Sequence, residues 1–115
     1  MTNLTEKKCQ PCEGIGRAFG PEEAQKFLQE VAGWQLSADQ KMIWRQYNMK
    51  NFMAAIRFIS KVAEVAESED HHPDLHLTGY RKLKIELSTH ALGGLSENDF
   101  IVAAKINALP VELKT

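Results

Sequence analysis

The only four histidines of this chain, His71, His72, His76 and His90, fall within twenty positions of one another. Three of them stand in the run Asp70-His71-His72-Pro73-Asp74-Leu75-His76. Histidine is the side chain whose ordinary pKa lets it give and take protons near neutrality, so this clustering points to proton transfer or metal binding. Two carboxylates accompany the cluster. Glu67 stands one helical turn before His71, where it can orient an imidazole or take its proton, and Asp99 lies nine residues past His90 at a helix start. Imidazoles flanked by carboxylates supply paired acid and base groups, each worth ~10² to 10⁴ in rate when positioned. No obvious nucleophile joins them.

Each piece also has a plainer reading. His-His-Pro suits a surface loop, Glu67 a solvated helix end, and His76 the polar face of a strand. Asp99, fourth in Ser-x-x-Asp, suits a helix-capping carboxylate. Zinc is the rival chemistry, with His72, Asp74, His76 and His90 as ligands. Against it, no His-Glu-x-x-His pairing on a helix is present, and adjacent His71 and His72 point different ways in extended chain. Cys9 and Cys12, in Cys-Gln-Pro-Cys, would furnish half of a structural zinc site, but a second thiol pair is missing.

The scaffold is bounded by composition. The chain's 115 residues, 43% hydrophobic and 25% charged, suit one globular domain with enough apolar material for a core. A net charge of -1 offers no drive toward nucleic acid or an anionic membrane. No apolar run approaches the roughly 20 residues that span a bilayer, and Lys7-Lys8 precedes polar, Gly-rich sequence, so a cytoplasmic protein is expected. In that reducing compartment two thiols more often stay free than form a framework. Residues 1–20, with Pro11, Gly14, Gly16 and Gly20 and no periodicity, read as an irregular, peripheral arm, leaving 21–115 as the single domain.

Pro21, Glu22 and Glu23 suit a first helical turn, and Ala24, Phe27, Leu28 and Val31 follow at helical spacing until Gly33. Trp34 and Leu36, then residues 41–49, read as paired strands. Phe52, Ile56, Ile59, Ala63 and Ala66 form the stripe of a long amphipathic helix ending near Ser68. Beyond Pro73, residues 75–78 and 82–88 alternate as two strands about a Gly79-Tyr80 turn. Ser96-Glu97-Asn98-Asp99 caps a last helix closed by Pro110. The order α-β-β-α-β-β-α predicts an α+β fold, a four-stranded antiparallel sheet with helices packed on one face. Antiparallel pairing of the last two strands brings the start of one beside the end of the other, so His72 and His90 can meet.

Arranged this way, the residues resemble the pterin-4a-carbinolamine dehydratase family. Its signature is a glutamate, three residues, His, His or Asn, Pro, then an aromatic, then Thr-His and a downstream aspartate. Here that reads Glu67, His71-His72-Pro73, Tyr80, Thr89-His90 and Asp99. Gly33-Trp34, the segment from Ile43 to Phe52, Ala66-Glu67 and Gly94-Leu95-Ser96 extend the likeness over residues 22–107. Leu75 departs from it, standing where many relatives carry an aromatic.

The resemblance implies a hydro-lyase that removes water from 4a-hydroxytetrahydrobiopterin to give quinonoid dihydrobiopterin, in recycling of that pterin, with no metal or separate cofactor. It implies a homodimer or homotetramer. By position, Asp70, His71, His72, Ser88, Thr89 and His90 would contact the pterin. His71 and His90 would exchange protons with N5 and the departing 4a-hydroxyl, with His72 in the same catalytic set and Glu67 and Asp99 supporting the imidazoles. The family fold also serves as a dimerisation cofactor for a transcription factor and, in bacteria, as a RuBisCO assembly factor. A non-catalytic binding protein with a protein partner is therefore the alternative. The presence together of Glu67, His71, His72, His90 and Asp99 favours catalysis.

Overall fold

Pro21 at the first helical position and Glu22 and Glu23 in the first turn start α1 (Pro21–Leu28). The Glu23 carboxylate reaches back to accept the Gly20 N–H at 3.1 Å. In the computed structural model, which describes residues 3–11 and 14–115, this helix stops at Leu28 rather than running on to Gly33. Tighter i to i+3 bonds, Glu30 N–H to Phe27 C=O and Val31 N–H to Leu28 C=O, unwind its end. Gly33 has φ 85°, a backbone conformation that residues with a Cβ adopt only with strain, and the Arg45 side chain packs across it with Nε 2.8 Å from where a Cβ would lie. Cys12 lies outside the described residues.

Four strands follow the expected order: β1 (Gln35–Leu36), β2 (Ile43–Asn48), β3 (Asp74–Thr78) and β4 (Lys82–Leu87). They form one antiparallel sheet in the order β1-β2-β4-β3. The two hairpins are joined by β2 against β4, with Ile43 opposite Leu87 and Tyr47 opposite Leu83. The inward positions Ile43, Tyr47, Leu83, Ile85 and Leu87 are buried, whereas Trp44, Lys84 and Glu86 line the other face, where Lys84 Nζ sits over the Trp44 ring. This is the α+β fold expected, with helices over one face of the sheet.

Helix α2 (Phe52–Glu69) crosses between the hairpins, its start capped by Asn51 Oδ1, which accepts the Ala54 N–H at 2.8 Å. Its buried stripe is Ala54, Ala55, Phe58, Val62, Ala66 and Glu69. That corrects the stripe expected from sequence. Phe52 is 48% and Ile56 37% exposed, and Ala63 also faces outward. The helix carries two apolar faces, and the buried one meets the sheet through Phe58, whose ring centroid lies 5.1 Å from that of Tyr47 on β2.

Helix α3 (Glu97–Asn107) is buried almost all round, from Asn98 through Ala104 and again at Ile106. Phe100 closes an aromatic cluster with Phe19 and Phe27. A helix so enclosed brings whatever its first turn carries into the interior. No helix among the described residues is long and apolar enough to cross a membrane.

Candidate active site

The turn after α2 places the first histidines. Asp70 adopts the left-handed conformation, φ 50°, and its N–H bonds the carbonyls of Ala66 and Glu67, while His71 N–H bonds Ala66 C=O at 3.2 Å. This closure stops the helix and swings the chain away from its axis. The helical i to i+4 spacing that would carry Glu67 to His71 therefore fails: the exposed Glu67 carboxylate takes His72 Nε2 instead. His71 turns to α3, where its Nε2 lies 2.7 Å from Asp99 Oδ1.

Asp99 is fully buried, and each of its oxygens is in use. Oδ2 accepts the Thr89 hydroxyl at 2.8 Å and the Ser96 N–H at 3.0 Å, and Oδ1 receives His71. Thr89 has one hydroxyl proton and gives it to Asp99, so the Ser96 hydroxyl 2.8 Å away must donate to Thr89. Ser96 Oγ in turn accepts the Asn98 N–H at 3.3 Å. The polarity of this chain runs in one direction and ends on the carboxylate. A carboxylate only accepts, so the proton of His71 sits on Nε2, and Nδ1 is the nitrogen left to exchange a proton. Asp99 thus serves at once as the expected helix cap and as the group that orients an imidazole.

His71 lines an open cleft of about 470 Å³ together with Asp70, Glu69, Ala91, Asn98 and the arm residues Cys9, Gln10 and Pro11. Ala91 belongs to the short 3-10 turn His90–Leu92 that follows β4. The structure therefore brings the turn bearing His90 to the same cleft as His71, through the β3–β4 register that sets Asp74 opposite Glu86. The exposed His90 side chain has no hydrogen bond to another described residue.

The remaining expected site residues are arranged differently. His72 is exposed beside Glu67, and His76 Nε2 lies 2.7 Å from Glu86 Oε1 on the open face of the sheet. These two ligands of the zinc alternative are thus held by separate carboxylates. Ser88 is half-buried before the site, and Thr89 is buried with its hydroxyl committed to Asp99 and Ser96.

The sequence places Ser96 in a helix cap and offers Cys9 only as half of a zinc site; it gives no part in proton transfer or substrate binding to Ser96, Asn98, Glu69 or the arm. Burial pushes the Cys9 thiol up to about 12, and Glu69 beside it adds to the shift, so near neutrality Cys9 is a protonated thiol and not a nucleophile. Burial would raise the Glu69 carboxyl, yet Lys105 Nζ at 2.5 Å and the Cys9 N–H at 2.8 Å hold it below the usual carboxylate range.

Known proteins resemble this chain in sequence and in fold. The family model described as pterin 4 alpha carbinolamine dehydratase matches residues 17–109. The mitochondrial pterin-4-alpha-carbinolamine dehydratase 2 of Arabidopsis thaliana is 50% identical over 97% of this chain, which spans 62% of the Arabidopsis protein's length. A putative pterin-4-alpha-carbinolamine dehydratase of Halorhodospira halophila is 45% identical over 93% of this chain and 97% of its own. Among solved structures, a transcriptional coactivator/pterin dehydratase from Brucella melitensis aligns with TM-score 0.75 and 32% identity over 80% of this chain and 97% of that one. A pterin dehydratase-like protein identified as a RuBisCO assembly factor in the alpha-carboxysome shares the fold, with TM-score 0.56 and 19% identity over 66% of this chain and 87% of that one.

Proposed function

Because the chain belongs to the pterin-4-alpha-carbinolamine dehydratase family, we propose that it removes water from 4a-hydroxytetrahydrobiopterin, giving quinonoid dihydrobiopterin in the recycling of that pterin. The observation that carries this reading is His71, held on a cleft with its Nε2–H on buried Asp99 and its Nδ1 left for proton exchange.

The reaction breaks the C4a–O bond and the N5–H bond. The N5–H electron pair becomes the new N5–C4a π bond, and the departing hydroxide leaves as water once protonated. A base at N5 and an acid at the 4a-oxygen complete the balance, with no covalent intermediate. His71 Nδ1 takes the N5 proton and His90, on the turn that borders the same cleft, supplies the proton to the oxygen. Asp99 keeps His71 in the required tautomer and stabilises the imidazolium it becomes. Asp70, His72, Ser88 and Thr89 complete the pterin site, with Glu67 orienting His72. The chemistry draws on side chains alone, without a metal or separate cofactor.

The test is the dehydration rate of 4a-hydroxytetrahydropterin, generated in place by a hydroxylase, with and without the protein at catalytic concentration. Acceleration is expected. No acceleration by folded protein would leave a non-catalytic binding or assembly role as the better reading.

The protein acts as a homodimer or homotetramer on this reading. The second apolar face of α2, with Phe52 and Met53 48% and 58% exposed and Ile56 beside them, has no partner within the described chain. Edge strand β3 offers Leu75 and unpaired backbone groups as well. Ile56→Glu should shift the protein to a smaller assembly in light scattering while its circular dichroism is unchanged. A wild type that is already monomeric would remove self-association from the reading. We assign the activity to the cytoplasm, whereas the Arabidopsis relative is named as mitochondrial.

A further inference from the structure

The cleft has two walls, and the mechanism above uses one of them. Asp70, His71 and Ala91 come to it from the turns after α2 and β4, and Cys9, Gln10 and Pro11 come to it from the arm. Two buried side chains hold the arm in this position. Asn98, 3% exposed, accepts the Gln10 N–H on Oδ1 at 2.9 Å and donates Nδ2–H to the Gln10 carbonyl at 2.8 Å. Glu69, 7% exposed, accepts the Cys9 N–H at 2.8 Å while paired with Lys105. Further back, Leu4 is buried in the core and Lys7 Nζ lies 2.6 Å from Glu97.

A buried amide and a buried carboxylate are costly unless hydrogen-bonded, and here both take arm backbone as partner. Asn98 is the residue before Asp99, and Glu69 stands two before His71. The arm is thus latched to the same two turns that carry His71 and Asp99, and its position is registered to theirs.

We propose that residues Cys9–Pro11 form the second wall of the pterin site, latched by Asn98 and Glu69, and set how tightly the substrate is held. The proposal rests on the pterin reading above. The cleft volume lies in the range of about 300–1,000 Å³ usual for small-ligand sites, ample for a bicyclic pterin with a short side chain. A wall built by the arm, apart from the proton-exchanging imidazoles, touches parts of the substrate that do not react. Such contacts are equal in ground and transition states and govern Kd and KM rather than kcat. Asn98 is then a positioning residue and Pro11 a binding one.

The probe is 7,8-dihydrobiopterin, which has no 4a-hydroxyl to lose, titrated calorimetrically into the full-length wild type, Asn98→Ala and Pro11→Trp. Asn98→Ala releases the latch. Pro11→Trp fills the cleft from an exposed position that the core does not use. Each should raise Kd about fivefold or more, with the same factor appearing in KM and a smaller change in kcat. Kd within about twofold of wild type in Pro11→Trp, checked as folded by circular dichroism, overturns the proposal. So does a loss in Asn98→Ala that falls on kcat alone, which would mean that Asn98 acts through Asp99. A wild type that binds dihydrobiopterin without accelerating dehydration would defeat the functional reading, and the Kd comparison would still decide the wall. A wild type that fails to bind it defeats both.

Discussion

Replacing Asp99 by Asn should lower turnover by about 10²-fold or more while the protein still folds, because the change reverses a proton. Asp99 offers His71 Nε2 an acceptor at 2.7 Å, and its other oxygen already serves Thr89 and Ser96 N–H. An amide at position 99 has one oxygen and one donor group. The oxygen is claimed by Thr89 and the Ser96 N–H, which leaves the amide N–H₂ facing His71. His71 Nε2 must then accept, its proton moves to Nδ1, and the nitrogen that should take the N5 proton already carries one. Asp99→Ala is expected to act on stability as well. It strands the Thr89 hydroxyl and the Ser96 N–H in a fully buried site, each worth about 1–3 kcal/mol when unsatisfied. A urea midpoint well below that of the Asn variant, with m unchanged, would register this. Turnover of Asp99→Asn within about twofold of wild type would show that the tautomer of His71 does not matter, and His71 would lose its role as base.

What was legible in the chain follows from how local its determinants are. Alternation over residues 82–88 and the Gly79-Tyr80 turn depend on neighbours two or three apart, and they yield the β3–β4 hairpin directly. The α2 stripe was misread because both of its apolar faces have helical spacing, and nothing local tells which one meets the sheet. Phe52 and Ile56 lie on the exposed face, and Ala54, Ala55, Phe58 and Val62 on the buried one, a choice made by the rest of the fold. Pairing of Glu67 with His72 instead of His71 turns on one left-handed residue, Asp70, which is not glycine and carries no spacing signal.

The Asp99 motif was readable twice over, as a cap and as a candidate carboxylate, and the structure assigns it both positions through a single pair of oxygens. Thr89 and Ser96 stand seven residues apart across the turn that begins at His90, so their hydrogen bond is a tertiary fact. The arm was the least legible part. Its segment from Cys9 to Pro11 has no side-chain periodicity, and it is held by backbone groups whose partners, Glu69 and Asn98, lie 60 and 88 residues away.

His71→Ala should cause the largest catalytic loss of any single histidine change, about 10² to 10⁴ in kcat, with His90→Ala at about 10-fold or more. The difference in size comes from their surroundings. His71 is only 11% exposed and is fixed by a buried carboxylate, so its Nδ1 is preorganised. His90 is exposed on a short turn, and water can stand in for part of its work as acid.

Removing the His71 ring opens a space onto a cleft that solvent already reaches, so added imidazole should restore part of the rate in His71→Ala, and a folding defect would not respond. The double variant His71→Ala/Asp99→Asn separates the two residues' roles most sharply. If Asp99 acts only by setting the protonation and orientation of His71, then once the ring is gone the second change has nothing left to alter, and the double variant should be no slower than His71→Ala. Additive losses would instead mean that Asp99 reaches the reacting atoms by another route, through Ser96 and Thr89 or through the first turn of α3.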